Sequence, residues 1–77
     1  MSELLIIGSR GLAVRNMQAA LTLAGFAVAV DGDFGEQTER AVVAFQRRAG
    51  LVDDGVAGPK TLAALHGYDT SRYLKRK

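Results

Sequence analysis

The residues best placed to do chemistry are in Asp31-Gly32-Asp33-Phe34-Gly35-Glu36, where three carboxylates fall within six positions and the segment begins like a calcium loop. An EF-hand needs an oxygen ligand at the fifth position, glycine at the sixth and glutamate at the twelfth. Here those positions hold Gly35, Glu36 and Val42, so no metal is expected. The glycines are also wrongly spaced for a phosphate loop, which ends in Gly-Lys-Ser/Thr. The other carboxylate pair, Asp53-Asp54, precedes a turn glycine, where Asp has the local task of accepting backbone N–H groups. His66 is the single histidine and falls at the end of a short helical run, where a cation is merely favourable. Neither Ser9 nor Ser71 belongs to a nucleophile motif. The chain is expected to have no catalytic residue, no metal and no cofactor.

The acidic loop makes better sense as half of a repeat. Asp31 to Val42, DGDFGEQTERAV, returns twenty-three residues later as Asp54 to Leu65, DGVAGPKTLAAL. Asp, Gly, Gly, Thr and Ala fall at the same offsets in both copies. Asp31 and Asp54 suit Asx turns, and Gly32 and Gly55 can take the positive φ that other residues resist. Phe34 and Ala57 can plug a core from the loop, and Gly35 and Gly58 let the chain turn into a helix. Thr38 and Thr61 lie near the helix starts, where a hydroxyl can satisfy a free backbone group. Two units are too few for an open solenoid, so a closed pseudo-twofold bundle is expected.

Three helices position these loops. From Leu12 the apolar residues Val14, Met17, Leu21 and Ala24 follow helical spacing, with Arg15, Asn16 and Gln18 beside them. Gly25 is placed to stop this helix, with Phe26 packing back on Leu21. Phe26, Val28 and Val30 alternate with alanines, suggesting a brief strand. A second helix is expected from Gly35 or Glu36 to Ala49, buried along Ala41, Val42, Phe45 and Ala49, and Gly50-Leu51 repeats the stop. Its Glu36 and Glu39 at one end and Arg47 and Arg48 at the other complement the helix dipole. Pro59 suits the first turn of a third helix, which faces Leu62 and Leu65 inward and runs until Gly67. Leu4 to Ile7 reads as either a strand or a buried lead-in.

At 77 residues without cysteine, the chain is one small domain with neither disulfides nor a Cys/His zinc site. A chain this short buries only about 60% of its unfolded surface, so its core has little to spare. The net charge of +2 comes from the end: residues 1–67 carry six Arg/Lys against seven Asp/Glu, and residues 68–77 carry four against one. The body lacks the basic stripe a nucleic-acid module needs. No apolar run is long enough to span a membrane, and Met1 to Ile7 lacks the features of a signal peptide. The expected organisation is a domain over 1–67 followed by a basic linker or tail over 68–77.

Taken together, Gly8-Ser9-Arg10-Gly11, Val14, Met17-Gln18, Leu21, Gly25-Phe26, Asp31 to Gly35, Thr38, Ala41-Val42, Phe45-Gln46, Gly50-Leu51, Asp54-Gly55, Gly58-Pro59, Thr61 and Leu65 resemble a known family. It is the three-helix peptidoglycan-binding domain attached to many bacterial and phage cell-wall hydrolases. The resemblance implies a mostly α, compact three-helix orthogonal bundle with an internal pseudo-twofold loop-helix repeat. It also implies a non-catalytic, monomeric module that binds peptidoglycan and targets a C-terminal hydrolase, as at the N-terminus of a phage endolysin. Such a module acts at the bacterial cell wall or periplasm, reaching it by export or by release from a phage-infected host. Similar domains occur in metalloprotease pro-segments that block zinc with Cys, and this chain has none. Met17 stands where Leu is usual and Leu62 where the family often has Trp.

For ligand contacts the resemblance suggests a shallow groove beside the second helix and the Asp31 to Gly35 loop. Gln18 and Gln46 either face this groove or tie down a loop through their amides. Arg47 and Arg48 are each either a solvated arginine or a contact to a stem-peptide carboxylate, Asp33 is the candidate to receive a diamino-acid ammonium, and Phe34 lines a wall if the core does not bury it. The alternative is a protein-binding scaffold that makes contact through the basic tail. Nucleic acid and membrane are not expected partners.

Overall fold

A computed structural model describes residues 4–71. The basic run expected at the C-terminal end, residues 72–77, lies outside the described residues. The chain forms α1 (Leu12–Leu23), α2 (Glu36–Ala49) and α3 (Pro59–Leu65), with no strand among the described residues. The fold is the mostly α three-helix arrangement that the repeat implies. α1 packs against both α2 and α3 and so forms the centre of the domain.

Local chemistry sets the helix bounds. The two longer helices end in the same device, with the N–H of Phe26 donating to Leu21 O at 2.8 Å and that of Leu51 to Gln46 O at 2.8 Å, across left-handed Gly25 and Gly50. Each such bond satisfies a terminal carbonyl that the helix itself leaves unpaired. α3 starts with Pro59, whose missing N–H costs nothing in the first turn.

The core gathers Val14, Met17, Leu21 and Ala24 from α1, Val42 and Phe45 from α2, and Leu65 from α3. Phe34 (3% exposed) and Ala57 (0%) enter it from the two loops. Ala49, expected on the buried stripe of α2, is exposed at the last residue of the helix.

Two expected extended segments take other forms. Leu4 to Ile7 is part of a lace that runs past both loops. Leu5 exchanges two backbone hydrogen bonds with Ala57 (3.1 and 2.9 Å), and then Gly8 N–H donates to Phe34 O (2.9 Å) and Phe34 N–H to Ser9 O (3.0 Å). The result is two isolated bridges, Leu5 with Ala57 and Arg10 with Asp33, because the lace leaves one loop for the other before a ladder can grow. Phe26, Val28 and Val30 keep the expected alternation of burial, but they pair with no strand. The Thr22 hydroxyl lies 3.2 Å from Val28 O and accepts the Val28 N–H at 3.4 Å, in place of a neighbouring strand.

Candidate functional site

The two Asp-Gly loops are each held by one buried glutamine. Asp31 and Asp54 form Asx turns, their Oδ1 atoms accepting the N–H groups of Asp33 and Val56 at 3.0 Å. Gln18, on α1, then grips the first loop. Its Oε1 accepts the N–H groups of Asp31 (3.0 Å) and Gly32 (2.8 Å), and its Nε2 donates to Asp31 Oδ1, Asp33 O and Thr38 Oγ1 at 2.9–3.1 Å. Gln46, on α2, repeats this on the second loop: Oε1 takes Gly55 N–H (3.0 Å), and Nε2 reaches Asp54 Oδ1 (3.3 Å), Val56 O and Thr61 Oγ1 (both 3.0 Å).

Both amides are almost fully buried, Gln18 at 0% and Gln46 at 1% exposed, and every buried side-chain polar atom among the described residues has a partner. Gln18, read from spacing as lying beside the apolar stripe, is an interior residue because the loop folds back over it. Thr38 and Thr61 do not cap their helices, since their hydroxyls accept the glutamine amides instead.

The charged candidates lie on the surface and are engaged. Asp33 pairs with Arg10 (3.2 Å), and Arg47 with Asp53 (2.7 Å). The Arg48 guanidinium donates to Ala24 O at the end of α1 (2.7 Å) and lies 4.6 Å over the Phe26 ring, which meets Phe45 edge-on at 6.1 Å. The N–H of Asp33, and then the Gln18 amide, hold the Asp31 carboxyl below its ordinary range, and the Arg47 hydrogen bond does the same for Asp53. Phe34 is the core plug that its place in the loop suggested and lines no groove wall.

Three clefts at the surface of the described residues bear on the site, and none is lined by Asp31 to Gly35; the smallest, of about 280 Å³, lies along α2 between Glu39 and Arg47. One, of about 310 Å³, lies between α1 and α3, with Asn16, His66, Tyr68 and Thr70 around an apolar floor. Tyr68 packs onto the core and Thr70 Oγ1 donates to Asn16 Oδ1 at 2.7 Å, so the described start of the expected tail lies along α1. The second, of about 520 Å³, lies between the end of α2 and the second loop, and Leu4, Val52 and Lys60 are among its lining residues. These three escaped the sequence reading. Two apolar residues outside the helical stripes, Leu4 and Val52, and a lysine at the second position of α3 were the available signal. Among the described residues no group of three or more His, Cys, Asp or Glu could hold a metal ion, and no helix is long and apolar enough to cross a membrane.

Residues 10–65, which contain both glutamine-clasped loops and all three helices, match the family model described as "Putative peptidoglycan binding domain". The chain belongs to this family. It is 38% identical over 73 residues to the "Probable N-acetylmuramoyl-L-alanine amidase" of Bacillus licheniformis, a match covering 91% of this chain and 21% of that protein. Among solved structures it is similar to the SleB N-terminal domain (TM-score 0.81, 38% identity, 84% of this chain and 90% of that one). It is also similar to the Burkholderia AP3 phage endolysin (TM-score 0.80, 44% identity, 83% of this chain and 25% of that one). The chain therefore spans about a fifth of the amidase and a quarter of the endolysin, and members of this family stand beside catalytic domains in cell-wall amidases.

Proposed function

We propose that this domain binds peptidoglycan without catalysing a reaction and holds an attached wall hydrolase on its substrate. The observation that carries this reading is the family match over both clasped loops, in a chain that covers 21% of its amidase relative. The site chemistry agrees. The buried polar groups, Gln18, Gln46, Thr38 and Thr61, are all consumed in shaping loops, and a rigid loop surface is what a weak, reversible contact with a polymer requires. Tethering raises the effective concentration of a catalytic partner on a repeating substrate, so modest affinity at one site is enough.

In this reading the module is a monomer and works at the bacterial cell wall, in a bacterial amidase or a phage endolysin, with residues 68–77 leading to the hydrolase. In place of the groove expected beside the Asp31 to Gly35 loop, the face taken for the ligand is the cleft between Gln46 near the end of α2, Leu51 and Val52 just after it, and the second loop. Arg47 lines the separate small cleft along α2, with Arg40 and Val43. Asp33 and Arg48 serve a ligand only by exchanging their present partners, and Phe34 and Gln18 act from within by fixing the first loop. Pull-down on purified sacculi tests the reading. Enrichment over a charge-matched control protein is expected, and equal recovery of the two would refute it.

A further inference from the structure

The two halves of the repeat differ in one respect that bears on the ligand. At the first loop, Arg10 neutralises Asp33 and the Arg48 guanidinium covers Phe26. At the second loop the residue equivalent to Asp33 is Val56, and the residue equivalent to Phe26 is half-buried Leu51. Only three residues join Gly50 to Asp54, where five join Gly25 to Asp31, so the second half lacks the cover of the first and leaves the 520 Å³ cleft open. Its size falls within the range of small-ligand sites, about 300–1,000 Å³.

The lining has a definite chemistry. Leu4 is 59% and Val52 76% exposed, two large apolar side chains beside one cleft, whose walls also include Leu51, Val56 and Pro59. Scattered exposed apolar residues need no explanation, but a cluster at a concave surface marks a contact. The lining holds one carboxylate, Asp54, whose Oδ1 is taken up by the Gln46 amide and the Val56 N–H, and one cation, Lys60, which alone of the Arg and Lys side chains among the described residues has no hydrogen bond or ion pair. The cleft contains no aromatic ring, the flat apolar surface on which a sugar ring packs best. Phe34 and Phe45 are buried in the core, and Phe26 lies between Phe45 and Arg48.

We infer that this cleft binds the peptide part of the wall rather than the glycan, seating a carboxyl-terminal alanine end with its methyl groups on Leu4, Leu51, Val52 and Val56 and its carboxylate against Lys60. The inference rests on the wall-binding reading above. An exposed ammonium attracts a carboxylate only modestly, so specificity comes from the apolar bed and the charge acting together.

The test uses the 77-residue chain with three soluble probes, followed by residue-resolved NMR: a stem pentapeptide ending in D-Ala-D-Ala, the same peptide amidated at its C-terminus, and a peptide-free chain of N-acetylglucosamine and N-acetylmuramic acid. The pentapeptide should shift Leu51, Val52, Lys60 and Thr61. The amidated peptide, Lys60→Glu and Val52→Asp should each weaken binding by about tenfold, the two substitutions with an unchanged fold because both positions are exposed. Equal affinity for the amidated peptide, or glycan shifts gathered at Tyr68 and His66, would overturn the inference. Sacculi stripped of their peptides by an amidase separate the two readings. Binding to intact but not stripped sacculi supports the peptide assignment, and equal binding to both refutes it while leaving wall binding intact. Binding to neither refutes the wall-binding reading itself.

Discussion

Gln46 does for the second Asp-Gly loop what Gln18 does for the first, although Gln18 precedes its aspartate by thirteen residues and Gln46 by eight. In each half one amide joins the Asx turn to the threonine of the following helix. The fold's twofold character lies in these two clasps as much as in the helices.

Removing either clasp should be expensive. Gln18→Ala breaks five hydrogen bonds, that of the buried Gly32 N–H among them, and an unsatisfied buried group costs about 1–3 kcal/mol, so a loss of about 3 kcal/mol is expected. Gln46→Ala, with four bonds, should lose slightly less. Gln18→Glu should also destabilise, since a carboxylate cannot donate and would face Asp31. Urea denaturation checks all three, and a loss below about 0.5 kcal/mol for Gln18→Ala would show that the clasp is dispensable.

Acid should weaken the domain in a defined window. The carboxyls of Asp31 and Asp53 are both held below 3.8 in the folded chain. A depressed folded pKa stabilises above the unfolded value, and that contribution is lost as pH falls through the folded value. The urea midpoint should therefore be level from neutral pH to about pH 5 and fall below about pH 4. Asp31→Asn keeps an acceptor for the turn and should fall less steeply there; parallel curves would refute the assignment.

Two glycines should respond differently to alanine. Gly32 (φ 81°) and Gly55 (φ 77°) both lie in the left-handed region, where a side chain costs roughly 1–2 kcal/mol. A Cβ at Gly55 would also lie 2.9 Å from the Glu39 Cγ, and one at Gly32 would lie 3.4 Å from the Gly11 carbonyl oxygen. Glu39→Ala should relieve part of the Gly55→Ala penalty and none of the Gly32→Ala penalty. A double-mutant cycle measures this, and zero coupling between Glu39 and Gly55 would contradict the contact.

Arg48 should matter for stability rather than for ligand. Its bond to Ala24 O and its place over Phe26 join the C-terminal ends of α1 and α2. Arg48→Ala should cost about 1–2 kcal/mol, and Arg48→Met should recover only the packing part. Sacculus binding by the folded variant should equal that of the parent chain, and a specific loss of binding would make Arg48 a ligand contact.

Much of this fold was legible because it rests on short-range chemistry. Asp31-Gly32 and Asp54-Gly55 define turns within a few residues, Gly25 and Gly50 stop helices through bonds spanning one turn, and Pro59 begins α3. These local signals repeat at fixed offsets, and so they identified the loop-helix duplication and the family together. Leu4 to Ile7 resisted the same reading because its partner, Ala57, lies far along the chain.

Tertiary structure alone decided which polar residues are interior and where the surface opens. A glutamine on a helix looks the same in sequence whether it faces water or a loop returning over it, and Gln18 and Gln46 became clasps only when loops eight to thirteen residues away closed on them. Arg48 gained its acceptor from Ala24, twenty-four residues distant. The cleft of Leu4, Val52 and Lys60 draws on three separate segments. Turn and helix-stop signals act over a few residues, whereas burial and concavity depend on which distant segments meet.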